Sequence, residues 1–261
     1  MPDIGIIVGS GFGEIEGTME KRSEKISTPY GDPSDAYRIY EISGVEAAFL
    51  ARHGSLHHIP PHKINYRANL WGFRELGAKR ILSVSAAGGI STGVIPGDIV
   101  VPDQVIDMTS CRTSTFFEGA DAVHIDFTSP YCKDLRELLL RAGKRSSIEL
   151  KDGATYICVN GPRLETRAEI RFFASIGADI VGMTAMPEAS LARELELCFG
   201  LISVVTNYAA GISGKPLTVT EVIEVMKRSK GSIWRILERL LQMLPAHRDC
   251  ECSKALKEAR M

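Results

Sequence analysis

Residues 178–211 read ADIVGMTAMPEASLARELELCFGLISVVTNYAAG. The first apolar run, 179–183, predicts a buried strand. Thr184, with Pro187 and Glu188 behind it, supplies helix-start chemistry for a helix over 188–197. A second apolar run, 199–205, predicts another buried strand. It ends on the amide of Asn207, followed by the small residues Ala209, Ala210 and Gly211. Open α/β sheets place ligands beyond the carboxyl ends of their strands. Met183, Thr184 and Asn207 are therefore expected to share one pocket that the rest of the chain builds out.

Working outward, several other strand ends carry small or polar residues. The apolar run 4–8 stops at Gly9-Ser10-Gly11-Phe12-Gly13, where glycines let backbone N–H groups approach an anion and Ser10 adds a donor. Glu14 stands where a dinucleotide fingerprint needs a third glycine, so that motif is excluded. Runs 37–40 and 45–51 predict a hairpin closing at Ser43-Gly44, whose second strand delivers Arg52-His53-Gly54. His57, His58 and His62 follow, with Pro60 and Pro61 among them. On a helix, His53, His57 and His58 would cluster like metal ligands, but the prolines break such a helix. Arg52 with one or two histidines as anion and sugar contacts is the reading these residues favour. Farther on come a helix over 66–76 stopped by Gly77, and a strand over 81–86 ending near Ser85-Ala86-Ala87-Gly88-Gly89. Strands are expected over 99–101, 103–108 and 154–159, and helices over 130–142 and 167–175. Residues 112–123 read as a long loop with His124 at its end. A long amphipathic helical region covers 218–244, interrupted or loosened near Gly231.

The bulk properties bound the function. At 261 residues the chain suits one sizeable α/β domain. Its 31 basic and 32 acidic side chains leave a net charge of −1, which gives no electrostatic case for nucleic acid or an anionic membrane. No apolar run reaches membrane-spanning length, and MPDIGIIVGS lacks the regions of a signal peptide, so a soluble, cytosolic protein is expected. The six cysteines (111, 132, 158, 198, 250 and 252) are too dispersed for a zinc ribbon, and Cys250-Glu251-Cys252 lacks metal-site spacing. They read either as free buried thiols or as structural disulfides in a protein from a hyperthermophilic source. No Ser-His-Asp order or close carboxylate pair points to hydrolase chemistry.

Taken together, GSG near the start, ARHG, YRAN, AAGG before PGD, NGPRLETRAE and GMTAMPEASLARE resemble the trimeric purine nucleoside phosphorylases, and within them the methylthioadenosine phosphorylase branch. The likeness is collinear over roughly residues 4–244. It implies one α/β domain, a mixed central β-sheet flanked by helices, with residues 246–261 as a short cysteine-containing tail. The implied reaction is phosphorolysis: phosphate displaces a purine from the sugar's C1′, with no metal or organic cofactor and inorganic phosphate as co-substrate. Carried over by position, phosphate falls to Ser10, Arg52, His53, Ser85, Ala86 and Thr184, while Met183 lies under the ribose. Asn207, Glu165 and His53 are the implied catalytic groups, and Leu164 and Ala209 further substrate contacts. The cysteine positions resemble those of disulfide-bearing archaeal members. A homotrimer, or a hexamer of two trimers, is implied by analogy.

Two departures from the methylthioadenosine enzymes set the expected substrate. Those enzymes resemble this chain but carry TDYD where it has Thr206-Asn207-Tyr208-Ala209. An amide can accept from N7–H while donating to a 6-keto oxygen, whereas against adenine its NH₂ meets another NH₂. Glu165, in GPRLETRAE, accepts from the N1–H of a 6-oxopurine, where adenine presents a lone pair. At the 5′ end, Val219, Val222 and Ile223 stand where the 6-oxopurine phosphorylases place a histidine from the late helix. Apolar side chains there suit a methylthio group and leave a hydroxyl without a partner. His57 and His124 also match positions near the 5′ group, His124 from a neighbouring subunit. The expected substrate is 5′-methylthioinosine; a general 6-oxopurine nucleoside phosphorylase is the alternative, and a methylthioadenosine phosphorylase the second.

Overall fold

The computed structural model describes residues 1–9, 18–119 and 122–260. Ser10 lies outside them. The chain begins with the apolar β1 (Ile4–Val8) and the charged β2 (Glu20–Glu24). The expected hairpin follows as β3 (Tyr37–Ile42) and β4 (Val45–Ala51). Ser43 and Gly44 take φ of 54° and 80°, the left-handed values a two-residue hairpin turn requires. Next come α1 (Tyr66–Glu75), β5 (Arg80–Gly89), β6 (Ile99–Val101) and β7 (Gln104–Asp107). Then α2 (Lys133–Arg145), β8 (Lys151–Asp152), β9 (Thr155–Cys158) and α3 (Arg167–Ser175). The chain ends with β10 (Ile180–Gly182), α4 (Ala185–Glu194), β11 (Cys198–Tyr208) and α5 (Val219–Gln242).

The described strands form one mixed, eleven-stranded sheet. Its spine is the parallel pair β5 and β11, in register from Arg80 opposite Cys198 to Gly89 opposite Tyr208. β1 joins β5 in parallel on the other side and carries the hairpin strands outward, while β10 joins β5 antiparallel and leads to β9 and β7. Both spine strands are buried almost throughout, hence their near-continuous apolar sequence. α1 and α4 pack into one apolar cluster with Tyr37, Phe73 and Phe199, while α2 and α5 pack into another with Leu82, Val84 and Ile202. The β11 register shifts between Val205 and Asn207, a bulge at Thr206.

Most predicted elements are present, with instructive differences. β5 runs on through Gly89 and β11 through Tyr208, because small and polar residues still pair in a ladder covered on both sides. α2 starts at Lys133 rather than at 130, since Cys132 is extended (φ −64°, ψ 119°) and takes the cap position. Regular helical geometry in α4 starts at Glu188 as expected, because Met186 and Pro187 are non-helical. α5 is unbroken through Gly231, contrary to the expected interruption. A glycine costs a helix only about 1 kcal/mol, and the buried stripe from Val225 to Leu241 outweighs that. β2 and β8 carry no apolar alternation and were not expected. No helix among the described residues is long and apolar enough to cross a membrane.

Candidate active site

The carboxyl ends of β1, β4, β5, β10 and β11 converge on a cavity of about 510 Å³. Its walls include Arg52 and His53 after β4, Ala86 to Gly88 on β5, Met183 and Thr184 after β10, and Thr206 and Asn207 on β11. The organising stretch thus delivers its three expected residues to one pocket. Leu164 and Glu165 enter from the segment before α3, and Val219 and Val222 from the start of α5. His57, His58, Pro60 and Pro61 close another side, so the proline-broken histidine patch is a wall of the cavity.

One end presents a guanidinium and an imidazole. Arg52 is only 1% exposed. Its Nε donates to Glu188 Oε1 at 2.5 Å, Nη2 to Ser83 Oγ at 2.5 Å and to Glu188 Oε2 at 3.3 Å, and Nη1 to Val84 O at 3.2 Å. These described partners account for all but one of its five N–H groups, and the remaining one is on Nη1. A side chain on Gly9 would meet that Nη1 at 2.8 Å, so the glycine at the β1 end keeps the approach to it open. His53 Nδ1 lies 2.8 Å from Ile59 O. A carbonyl only accepts, so Nδ1 carries the proton and Nε2 the lone pair. Burial, then the adjacent Arg52 charge, push the His53 imidazole down to about 4. Thr184 is buried and stands at the cap position of α4 without making a capping hydrogen bond.

The other end carries hydrogen-bonding edges. Thr206 Oγ1 donates to Asn207 Oδ1 at 2.8 Å, and Asn207 Nδ2 donates to Tyr208 O at 2.9 Å. Because the Tyr208 carbonyl only accepts, the amide end facing it must be the NH₂, which fixes the orientation of the side chain. One lone pair on Oδ1 and one hydrogen on Nδ2 are left by these bonds. The bulge falls at Thr206, next to Asn207, where β11 meets the cavity. Burial raises the Glu165 carboxyl above its ordinary range. Arg112 braces the segment carrying Met183: its Nη1 donates to Met183 O (2.8 Å) and Met186 O (2.6 Å), and its Nη2 to Asn160 O (2.9 Å).

Four expected residues stand away from this cavity within the chain. Ser85 Oγ pairs with Ser203 Oγ at 2.9 Å across the spine and does not line it, because strand alternation turns Ala86 to the cavity instead. Ala209 is packed with Ile90 and Ile157. Ile223, the fifth residue of α5, is 39% exposed and does not line the cavity. His124 is exposed and lines a separate surface cavity with Arg193, Glu251 and Lys254. Sequence reasoning took Glu188 for a helix-start residue and missed its bond to Arg52. The signal was an acid inside an otherwise apolar stretch, but its partner lies 136 residues away. Arg112 and Thr206 were missed as well.

A family model described as "Phosphorylase superfamily" matches residues 3–242. The chain belongs to that superfamily. It is 52% identical over 257 residues to a probable S-methyl-5'-thioinosine phosphorylase of Thermodesulfovibrio yellowstonii, covering 98% of this chain and 96% of that one. It is 47% identical over 266 residues to a probable 6-oxopurine nucleoside phosphorylase of Thermococcus kodakarensis, covering 99% of each. Among solved structures, a methylthioadenosine phosphorylase from an antarctic soil metagenomic library superposes with a TM-score of 0.93 at 35% identity, over 100% of this chain and 92% of that one. The enzymes it matches along their length are nucleoside phosphorylases, which are pentosyltransferases. The fold is common to enzymes named for different bases, so the base is decided by the cavity wall.

Proposed function

We propose that the chain cleaves the N-glycosidic bond of 5′-methylthioinosine with inorganic phosphate, giving hypoxanthine and 5-methylthioribose 1-phosphate, without a further cofactor. The observation that carries this reading is the fixed orientation of Asn207 in a cavity that Glu165 also lines. The open Oδ1 lone pair accepts from N7–H of the leaving base and the open Nδ2 hydrogen donates to O6. Glu165, ionised, accepts from N1–H. An adenine would face an NH₂ against its own and a carboxylate against its N1 lone pair. Sites built to hydrogen-bond one pattern reject its mismatch by about 10⁴–10⁵ in kcat/KM.

Phosphate would sit at the Gly9, Arg52, His53, Ala86 and Thr184 end, with Ser10 as a further candidate donor. There it faces C1′ as the sugar takes on oxocarbenium character, so most of the catalysis is positioning and charge stabilisation. Met183 lies beneath the ribose and Leu164 beside the base. Neutral His53 accepts a proton-bearing oxygen of phosphate at Nε2 while its Nδ1–H stays on Ile59 O. Val219 and Val222 give the 5′ end an apolar wall, which favours a methylthio group by burial. His57 and His58 on the opposite wall favour the second reading, a general 6-oxopurine nucleoside phosphorylase that bonds a 5′-hydroxyl.

The same reading takes the chain as a single cytoplasmic domain with residues 246–261 as its tail. It assembles as a homotrimer or a hexamer of two trimers, and the exposed His124 would reach a neighbouring subunit's cavity. All six cysteines are free thiols in the structure, and the disulfides implied by the resemblance would have to form among the four that cluster. The test of the activity is kcat/KM with phosphate for methylthioinosine, inosine, guanosine and methylthioadenosine. Methylthioinosine is expected to lead. A lead by methylthioadenosine overturns the base assignment, and equality with inosine overturns the 5′ assignment.

A further inference from the structure

The ladder between β9 and β10 ends at Cys158 opposite Gly182. Beyond it, β9 runs on into the segment that brings Leu164 and Glu165 to the cavity, and β10 into the one that brings Met183 and Thr184. One guanidinium gathers the carbonyls of both continuations. Arg112 Nη2 donates to Asn160 O at 2.9 Å and to Val159 O at 3.3 Å, while its Nη1 donates to Met183 O at 2.8 Å and to Met186 O at 2.6 Å. We propose that Arg112 is a positioning residue for the reaction read above, its guanidinium fixing where the base-side segment stands relative to the sugar-side one. What each side binds rests on that reading; the bonds do not depend on it.

Where a β-ladder stops, the next carbonyls lose their strand partners and must find others. A planar fork with donors on two nitrogens can serve two chains at once, which a lysine's single nitrogen cannot. The sheet delivers that fork. β7 pairs with β9 up to Asp107 opposite Cys158, and the chain after it keeps alongside. Met108 N donates to Cys158 O at 2.9 Å, Ser110 N to Asn160 Oδ1 at 3.1 Å, and Asn160 Nδ2 to Ser110 Oγ at 2.8 Å. Arg112 then reaches across both continuations. A third wall is tied in as well: Nη1 donates to Tyr66 Oη at 3.1 Å, and Tyr66 Oη donates to Pro61 O at 2.9 Å, beside the histidine patch.

The base-side segment hangs between two anchors. Its far end is held by the α3 cap, where Thr166 Oγ1 accepts from Glu169 N at 3.1 Å and Glu169 Oε2 accepts from Thr166 N at 2.7 Å. Its near end, at Val159 and Asn160, is held by Arg112. Between them the two continuations touch, since a side chain on Gly161 would run into Met183 Sδ. Freeing the near anchor would let Glu165 drift relative to Met183, and a misplacement of about 1 Å can cost about 100-fold in rate. The Arg52 end has its own tie through Glu188 and Ser83, so it should respond less.

The test is steady-state kinetics of Arg112→Ala and Arg112→Lys in the whole chain, with phosphate and the same four nucleosides, alongside urea unfolding. For the nucleoside that the wild type uses best, kcat/KM should fall by about 10–100-fold, with the KM for nucleoside rising more than the KM for phosphate. The preference between 6-oxo and 6-amino bases should narrow by about tenfold, the worth of one displaced hydrogen bond. Methylguanidinium added to Arg112→Ala should restore part of that preference, which a mere loss of stability would not allow. If Arg112→Ala does not fold, Arg112→Lys decides. Arg67→Met is the control: Arg67 holds the same loop through Thr115 O and Glu118 but bonds none of the four carbonyls, so base preference should stay as in the wild type. Unchanged preference and nucleoside KM in the Arg112 variants overturn the proposal, as does equal narrowing in Arg67→Met. A wild type that favours another nucleoside corrects the substrate named above and leaves this test standing, because each variant is scored against the wild type's own preference.

Discussion

Arg52 Nε and Glu188 Oε1 lie 2.5 Å apart, and each side chain is 1% exposed. The pair ties the strand end after β4 to the start of regular helix in α4, and Ser83 Oγ, donating to Glu188 Oε2 at 2.8 Å, joins it to β5. Three elements of the anion end are thus held by one carboxylate. The guanidinium is oriented by Glu188, and among the described residues one Nη1 hydrogen is left without a partner.

Removing that carboxylate strands a buried cation, at about 3–5 kcal/mol. Glu188→Ala is expected to lower stability by that amount in urea unfolding. Glu188→Gln keeps the shape and should cost less, while raising the KM for phosphate more than the KM for nucleoside. Equal stability of Glu188→Ala and the wild type would refute the role given to the pair.

Asn207→Asp replaces the fixed amide by an acceptor that can take a hydrogen bond from a 6-amino group. The ratio of kcat/KM for methylthioinosine over that for methylthioadenosine should fall by about 10–100-fold, the worth of one mismatched buried hydrogen bond. An unchanged ratio would count against the amide as the base reader.

On the proposed function, Glu165 sharpens the same discrimination only while ionised. Burial raises its carboxyl, so protonation begins at a higher pH than for a free glutamate. A protonated Glu165 can donate to the N1 lone pair of adenine. Preference for the 6-oxopurine should therefore decline as the pH falls, and Glu165→Gln should flatten that dependence. Parallel profiles for variant and wild type would remove Glu165 from the base edge.

His53 links acid to stability. Its folded value of about 4 lies below the ordinary 6.5. Between those values the unfolded chain binds a proton that the folded chain refuses. Stability is full above about pH 6.5 and falls as the pH drops toward about 4, by up to about 3 kcal/mol. Urea midpoints across that window should move less in His53→Gln than in wild type. Identical shifts would place the acid sensitivity elsewhere.

On the proposed function, Val222→His would offer a 5′-hydroxyl a partner in the wall that Val222 forms. Inosine should gain about tenfold in kcat/KM relative to methylthioinosine. No gain would show that the histidines of the facing wall already serve the hydroxyl.

Sequence reading reached far where chemistry is local. The hairpin turn at Ser43 and Gly44, the helix over 167–175 and the apolar spine strands each announce themselves within a few residues. Met183, Thr184 and Asn207 were legible as one pocket because strand ends converge by rule in such sheets. What escaped depends on which way a side chain turns or on partners far along the chain. Alternation sends Ser85 to Ser203 and away from the cavity, and no local signal joins Arg52 to Glu188. The four thiols were visible one by one, but their meeting was not.

The irregularity at Thr206 has an evolutionary reach. It sets Thr206 and Asn207 side by side on the cavity, on a strand buried almost throughout. On the proposed function, exchange of amide for acid there would redirect the enzyme to another nucleobase while the surrounding scaffold stays as it is. On that reading, lineages with this architecture would trade one substrate for another without rebuilding the protein.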